Sequence, residues 1–218
     1  MNIQNNKKRI LGQMDIISEI KLAERENRSI DLSNSIMSDI SAITDRIKGG
    51  LNLENSEIKG SIFLGETLVL GELNLGNVVI EGSLYLGNSE IDDDLILENA
   101  TIKGAINLVG AKIRGSVNAK NLTTMGFLSL SKTEIEGDVI LENADIKSAQ
   151  YEDLSVRGDL FLGTAIITGS LNLGKMTSEG TIDMEDVGIG GNLVLTGAKS
   201  GKGDIDTTTI KLEGKKIV

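Results

Sequence analysis

Few residues of this chain are of types that could do chemistry, and they are scattered. Asp92, Asp93 and Asp94 form the densest acidic cluster, and hard cations prefer carboxylate ligands. Three neighbours in a chain do not converge on one ion without a special turn, so the run reads as a solvated corner. Asp204-Ile-Asp206 opens like a calcium loop, but Thr209 holds the glycine position and Lys215 the closing glutamate position. Gly197-Ala-Lys-Ser-Gly201-Lys202-Gly203 resembles a phosphate loop one residue short, with Gly203 where Ser or Thr would hold magnesium. Histidine and cysteine are both absent, which removes the commonest general base and the thiolate nucleophile. Without them no nucleophile–base pair can be assembled short of invoking lysines or carboxylates at random. The sequence therefore predicts no catalytic residue, no cofactor and no metal site.

Composition narrows the remaining classes. The net charge is −10 with a pI near 4.6, which disfavours direct binding to nucleic acid or to an anionic membrane. Lys7, Lys8 and Arg9 are followed by Asp15, Glu19 and Lys21, a pattern that makes neither a signal-peptide core nor a membrane span. A cytoplasmic protein is expected, with a protein partner or a second copy of itself. Hydrophobic residues make up 39% of the chain but aromatic ones only 2%: Phe63, Phe127, Phe161, Tyr85 and Tyr151. A core of Leu, Ile, Val and Ala suits narrow layers rather than a globule. Twenty-six glycines with no proline suggest many corners of one repeated geometry.

Those corners recur every 11 residues. Cutting before glycine gives GGLNLENSEIK from 49, GSIFLGETLVL from 60, GELNLGNVVIE from 71 and GSLYLGNSEID from 82. The frame continues with one short unit from Ser148 and a one-residue slip at Lys202. Positions three, five, eight and ten of each unit are apolar or small, as in Leu51, Leu53, Ser56 and Ile58. Two bursts of period-2 alternation predict two very short strands per unit. Glycine at position one (Gly60, Gly71, Gly82, Gly104) and Gly or Asn at positions six and seven fit corners that need positive φ.

Charge decides how many units make one coil. Residues one coil apart are in contact across a sheet. If a unit were a coil, Asp92 would stack on Glu81 and Arg114 on Lys103. With two units per coil, one column reads Lys59, Glu81, Lys103 and another Asp92, Arg114, Glu136, Arg157, Glu179. Signs then alternate throughout. The same 22-residue spacing stacks Asn55, Asn77, Asn99, Asn121 and Asn143, continued by Thr164 and Asp186, as an amide ladder. The fold expected is an all-β parallel solenoid with four short strands per coil.

Ala100-Thr-Ile102, Ala111-Lys-Ile113 and Ala144-Asp-Ile146 place a small residue two before an apolar centre. This resembles the pentapeptide-repeat family of right-handed quadrilateral β-helices, over about three quarters of the chain. Segments such as Leu73-Asn-Leu75 depart from that pattern, and the centres alternate between five and six residues apart. Bactofilins, polymer-forming bacterial β-helices, are a second resemblance.

The two ends differ. Ile10, Met14, Ile17 and Ile20 have helical spacing, and so do Ile36, Ile40, Ile43 and Ile47 behind Ser33, Asn34 and Ser35. Residues 1–48 are expected to be a helical cap or partner-docking arm, and 49–218 the β-helix. Ile30-Asp-Leu32 alternates, so the second segment reads equally as a degenerate first coil. The C-terminal segment is strand-like, its edge either guarded by Lys211, Lys215 and Lys216 or used for end-to-end pairing. The acidic stripe of Glu72, Asp94, Asp138 and Asp159 marks a possible interaction face. The functional expectation is a structural or protein-interaction scaffold that self-associates through a coil end. The alternative is an acidic DNA mimic acting on a DNA-binding protein such as a topoisomerase, a role the pentapeptide-repeat resemblance implies.

Overall fold

The computed structural model describes residues 8–41 and 45–218. Those residues form one helix followed by a parallel β-solenoid of about nine coils, with roughly 22 residues per turn. Each full coil has four short strands, nearly all of two residues. Leu51 pairs with Leu73 and Leu73 with Leu95 on the first face, and Ile58 with Ile80 and Ile80 with Ile102 on the second. Ile62, Leu84 and Ile106 stack on the third face, and Val69, Ile91 and Ile113 on the fourth. Every one of these steps spans 22 residues, as the alternating charges require.

The inward side chains form a single aliphatic core running the length of the solenoid. Serines and threonines at inward positions are bonded back to the chain. Ser56 Oγ donates to the Leu32 carbonyl at 2.9 Å, and Thr133 Oγ1 to that of Leu108 at 2.8 Å.

Position seven carries the left-handed corner. Asn34, Asn55, Asn77, Asn88, Asn99, Asn121 and Asn143 all have φ between 53° and 58°. Where Asn is replaced, Glu66, Lys132, Asp153, Thr164, Lys175 and Asp186 still adopt φ of 54° to 59°. Asparagine tolerates this region best among non-glycine residues, which explains its frequency there.

The position-one glycines require a correction. None of Gly60, Gly71, Gly82 and Gly104 has positive φ; glycine is needed there because the coils approach too closely for a side chain. A Cβ on Gly104 would lie 2.5 Å from the Gly82 carbonyl oxygen, and one on Gly126 2.4 Å from that of Gly104. The space is used for a bond: the Gly104 amide donates to the Gly82 carbonyl at 2.7 Å.

The N-terminal expectation is also partly revised. One helix is present, Gln13–Glu26, ended by Asn27 at φ 52°. Its buried face is Ile16, Ile20 and Ala23, whereas Ile10 and Met14 are exposed. Ile10 belongs to a strand paired with Ser35 and Ile36. No second helix occurs among the described residues of 30–47; they are strands Ile30–Asp31, Ser35–Met37, Ile40–Ser41 and Arg46–Ile47. The degenerate-coil alternative is the one observed. Ile36 misled the helical reading because its side chain lies outside the core, while Met37 and Ile40 are inside. Ile43 lies outside the described residues.

Length irregularities fall at corners. Met37 pairs with Ile58 but Ile40 with Ile62, so the first coil is one residue shorter between its second and third faces. The short unit from Ser148 loses its residue at the same corner, with Thr124 opposite Ile146 and Leu128 opposite Ala149. The strands Thr123–Ser129 and Asp145–Gln150 run straight through it.

The glycine column yields a stability test. Gly104→Ala forces overlap with the coil below and is expected to destabilise the fold by about 2 kcal/mol in urea unfolding. At Gly188 a Cβ would meet nothing closer than 4.0 Å, so Gly188→Ala should be neutral or stabilising by up to about 1 kcal/mol.

Candidate functional site

The expected interaction face lies at position two of the first face. Three of its four carboxylates, Asp94, Asp138 and Asp159, do structural work, whereas Glu72 makes no bond to the next coil, whose Asp94 amide goes to Asp93. Asp94 Oδ1 accepts the Ser116 amide at 2.7 Å, Ser116 Oγ the Asp138 amide at 3.1 Å, and Asp138 Oδ1 the Asp159 amide at 2.8 Å. Asp159 Oδ1 accepts the Thr181 amide at 2.6 Å and its hydroxyl at 3.0 Å. Each side chain thus binds the equivalent amide one coil on. The third face does the same with Asp39, Ser61 and Ser83, and with Ser170 and Asn192 further along.

The Thr181 amide and hydroxyl hold the Asp159 carboxyl below the usual carboxylate range. Glu72 moves the other way: desolvation, then the negative charges of Asp93 and Asp94, push its carboxyl up. Asp92, Asp93 and Asp94 diverge. Asp92 pairs with Arg114 at 2.6 Å, Asp93 Oδ1 accepts the Asp94 amide, and Asp94 binds Ser116.

The first face is more acidic than its position-two stripe alone. Its other outward positions add Glu54, Glu98, Glu142, Asp183 and Glu185 to Glu72, Asp94, Asp138 and Asp159, with Lys120 the one cation among them. Lys120 bonds Glu142 at 2.7 Å, and Lys202 approaches Asp159 at 3.9 Å from the last corner. The fourth face is banded instead: Glu90 and Asp92, then Lys112 and Arg114, then Glu134 and Glu136 alternate in sign from coil to coil. The third face, opposite the first in the circuit of each coil, is nearly free of charge. From the coil of Ser61 to that of Thr196 its outward residues include one carboxylate, Glu152, and no cation.

The charge columns form as pairs rather than continuous chains. Lys103 binds Glu81 at 2.5 Å, Arg114 binds Asp92, and Arg157 binds Glu136 at 3.3 Å. Lys59 turns to Glu57 in its own strand instead of Glu81. All are solvent-exposed, so each adds little stability; their effect is on register. In the asparagine ladder, Asn99 Nδ2 donates to Asn77 at 3.2 Å and Asn121 Nδ2 to Asn99 at 2.8 Å. Thr164 Oγ1 donates to Asn143 at 2.6 Å. Asn55 shares the conformation of the ladder.

The loop-like motifs are also corners and turns. Gly197, at φ 74°, fills position seven, and Asp206 Oδ1 accepts the Thr208 amide at 2.8 Å. No helix among the described residues is long and apolar enough to cross a membrane. No family model matches the chain, and no curated protein does either.

Sequence reasoning overlooked Tyr151. It replaces the leucine of position five, is fully buried, and its hydroxyl has no hydrogen-bond partner among the described residues. Burial pushes the phenol far above its ordinary pKa. The ring is accommodated in a coil where Ala149 stands between Leu128 and Leu171 of the adjoining coils. The short unit from Ser148 was the available signal, since it combines that small residue with the inward tyrosine.

Two measurements test these assignments. Tyr151→Phe removes the orphan hydroxyl and should stabilise the fold by about 1 kcal/mol in urea unfolding. For Asp159, whose folded pKa is depressed, the unfolded chain takes up its proton first as pH falls. Its contribution is therefore present above the ordinary carboxylate pKa and is lost as pH falls through the lower folded value. In an acid titration of stability, Asp159→Asn should show a smaller loss below about pH 4 than the parent.

Proposed function

We propose that this chain is a non-enzymatic scaffold solenoid that self-associates through its C-terminal coil end. The observation that carries the reading is the contrast between the two ends. The helix Gln13–Glu26 buries Ile16, Ile20 and Ala23 against the first coil. At the other end Ile205, Ile210 and Leu212 are only partly buried, Ile217 and Val218 are exposed, and no described residue covers them. The strands Lys211–Leu212 and Lys216–Ile217 each pair on one side, with Gly188–Ile189 and Leu193–Val194. Their free edges offer backbone groups for pairing.

Association here joins rods end to end. Negative-stain microscopy of concentrated protein should show particles of doubled length at single width, and Val218→Asp, at the exposed inward position of the last strand, should abolish them. A population of single-length rods at every concentration removes the proposal.

The acidic first face supports a second reading, a mimic of nucleic acid for a basic partner protein. That support is one-sided, because the second and fourth faces mix charges and the third has almost none. Unchanged activity in a DNA-gyrase supercoiling assay, with neither inhibition nor protection, counts against it.

A further inference from the structure

We infer a second, lateral interface: the third face of the solenoid packs side by side against the third face of another copy. This does not depend on the coil-end reading. The chain is one-quarter charged, yet this face keeps a single carboxylate, Glu152, over seven consecutive coils. It also gathers three of the five aromatic rings, and each is exposed: Phe63 at 42%, Tyr85 at 38% and Phe127 at 47%. Phe63 and Tyr85 stack with centroids 4.9 Å apart and planes 7° from parallel. Aromatic enrichment with depletion of charge is the signature of the centre of a protein interface. Charged residues line its edges, with Lys59, Glu81 and Lys103 on one side and Glu66 and Lys132 on the other.

The occupant follows from where the charge lies. A basic protein is drawn to the first face, and an anionic polymer or membrane finds no cation on the third. A second copy meets neither obstacle. Two copies joined through their third faces hold their acidic first faces on opposite outer sides, where mutual repulsion is least. Joined through first faces, they would press rows of carboxylates together. The area sets the strength. Seven strands at the interstrand spacing span about 30 Å, and a width of about 15 Å gives about 450 Å² per partner. That is roughly half of a standard interface, so the dimer is weak and dependent on concentration.

Sedimentation velocity over a concentration series tests this in the Val218→Asp background, which removes coil-end association and leaves the outward residues of the third face unchanged. Circular dichroism confirms that each variant is folded. The expected result is a dimer whose Kd rises at least tenfold in Tyr85→Glu and in Phe127→Glu but is unchanged in Ile166→Glu, on the second face. Raising the salt to 1 M should preserve or tighten the dimer, because screening weakens the repulsion between the outer acidic faces. A monomer at every concentration, a dimer indifferent to Tyr85→Glu and Phe127→Glu, or one that dissociates in salt overturns the inference. Retardation of the monomer in a gel containing a neutral glucan would assign the face to a sugar polymer and likewise overturn it.

Discussion

Successive coils of this solenoid are held about 4.8 Å apart by parallel backbone hydrogen bonds, and nearly every other feature answers to that spacing. Glycine recurs at position one because no Cβ fits between the Gly82 and Gly104 backbones. Asparagine recurs at position seven because the chain must turn through positive φ once in every unit. Inward positions are aliphatic because stacked layers leave room for Leu, Ile and Val but seldom for a ring. Tyr151 shows the limit: the one ring in the core stands two residues after the small Ala149, and its hydroxyl is left without a partner among the described residues.

The same spacing makes side chains act one coil away. Asp94, Ser116, Asp138 and Asp159 each bind the equivalent amide above, so a column that reads as surface charge is also part of the backbone hydrogen-bonding system. The exposed ion pairs serve differently. Individually weak, they penalise any register that would set Asp92 on Glu81 or Arg114 on Lys103. Length changes are confined to corners because a strand one residue short would turn its inward residues outward. Both single-residue deletions use the corner between the second and third faces, where no core position is displaced.

Around the coil, charge is distributed unevenly. Carboxylates crowd the first face, opposite signs alternate on the fourth, and the third carries hydroxyls, amides and rings. Since position two caps amides with either Asp or Ser, stacking alone does not demand this division; Ser61 and Ser83 perform on one face what Asp138 and Asp159 perform on another. That freedom lets the surface differ from face to face while the core repeats.

Much of the architecture was legible in the chain itself. Period-2 alternation identified the strands, and the order of Lys59, Glu81 and Lys103 identified the 22-residue coil, because neighbours across a sheet must not repel. The first coil was less legible, since Ile36, Ile40 and Ile47 fit a helical period as well as a strand pattern interrupted by a corner deletion. Only pairing with Glu57, Ile62 and Val69 resolves it. The reason for glycine at position one also required the tertiary structure, because a clash between coils leaves the same mark in a sequence as a turn with positive φ. So did the roles of the surface residues. The type of Asp94 or Ser83 was plain from the sequence, but whether it faces solvent or the next coil's amide depends on how residues 22 apart are brought together. Local periodicity determines that a solenoid forms; contact between coils decides what each of its faces can do.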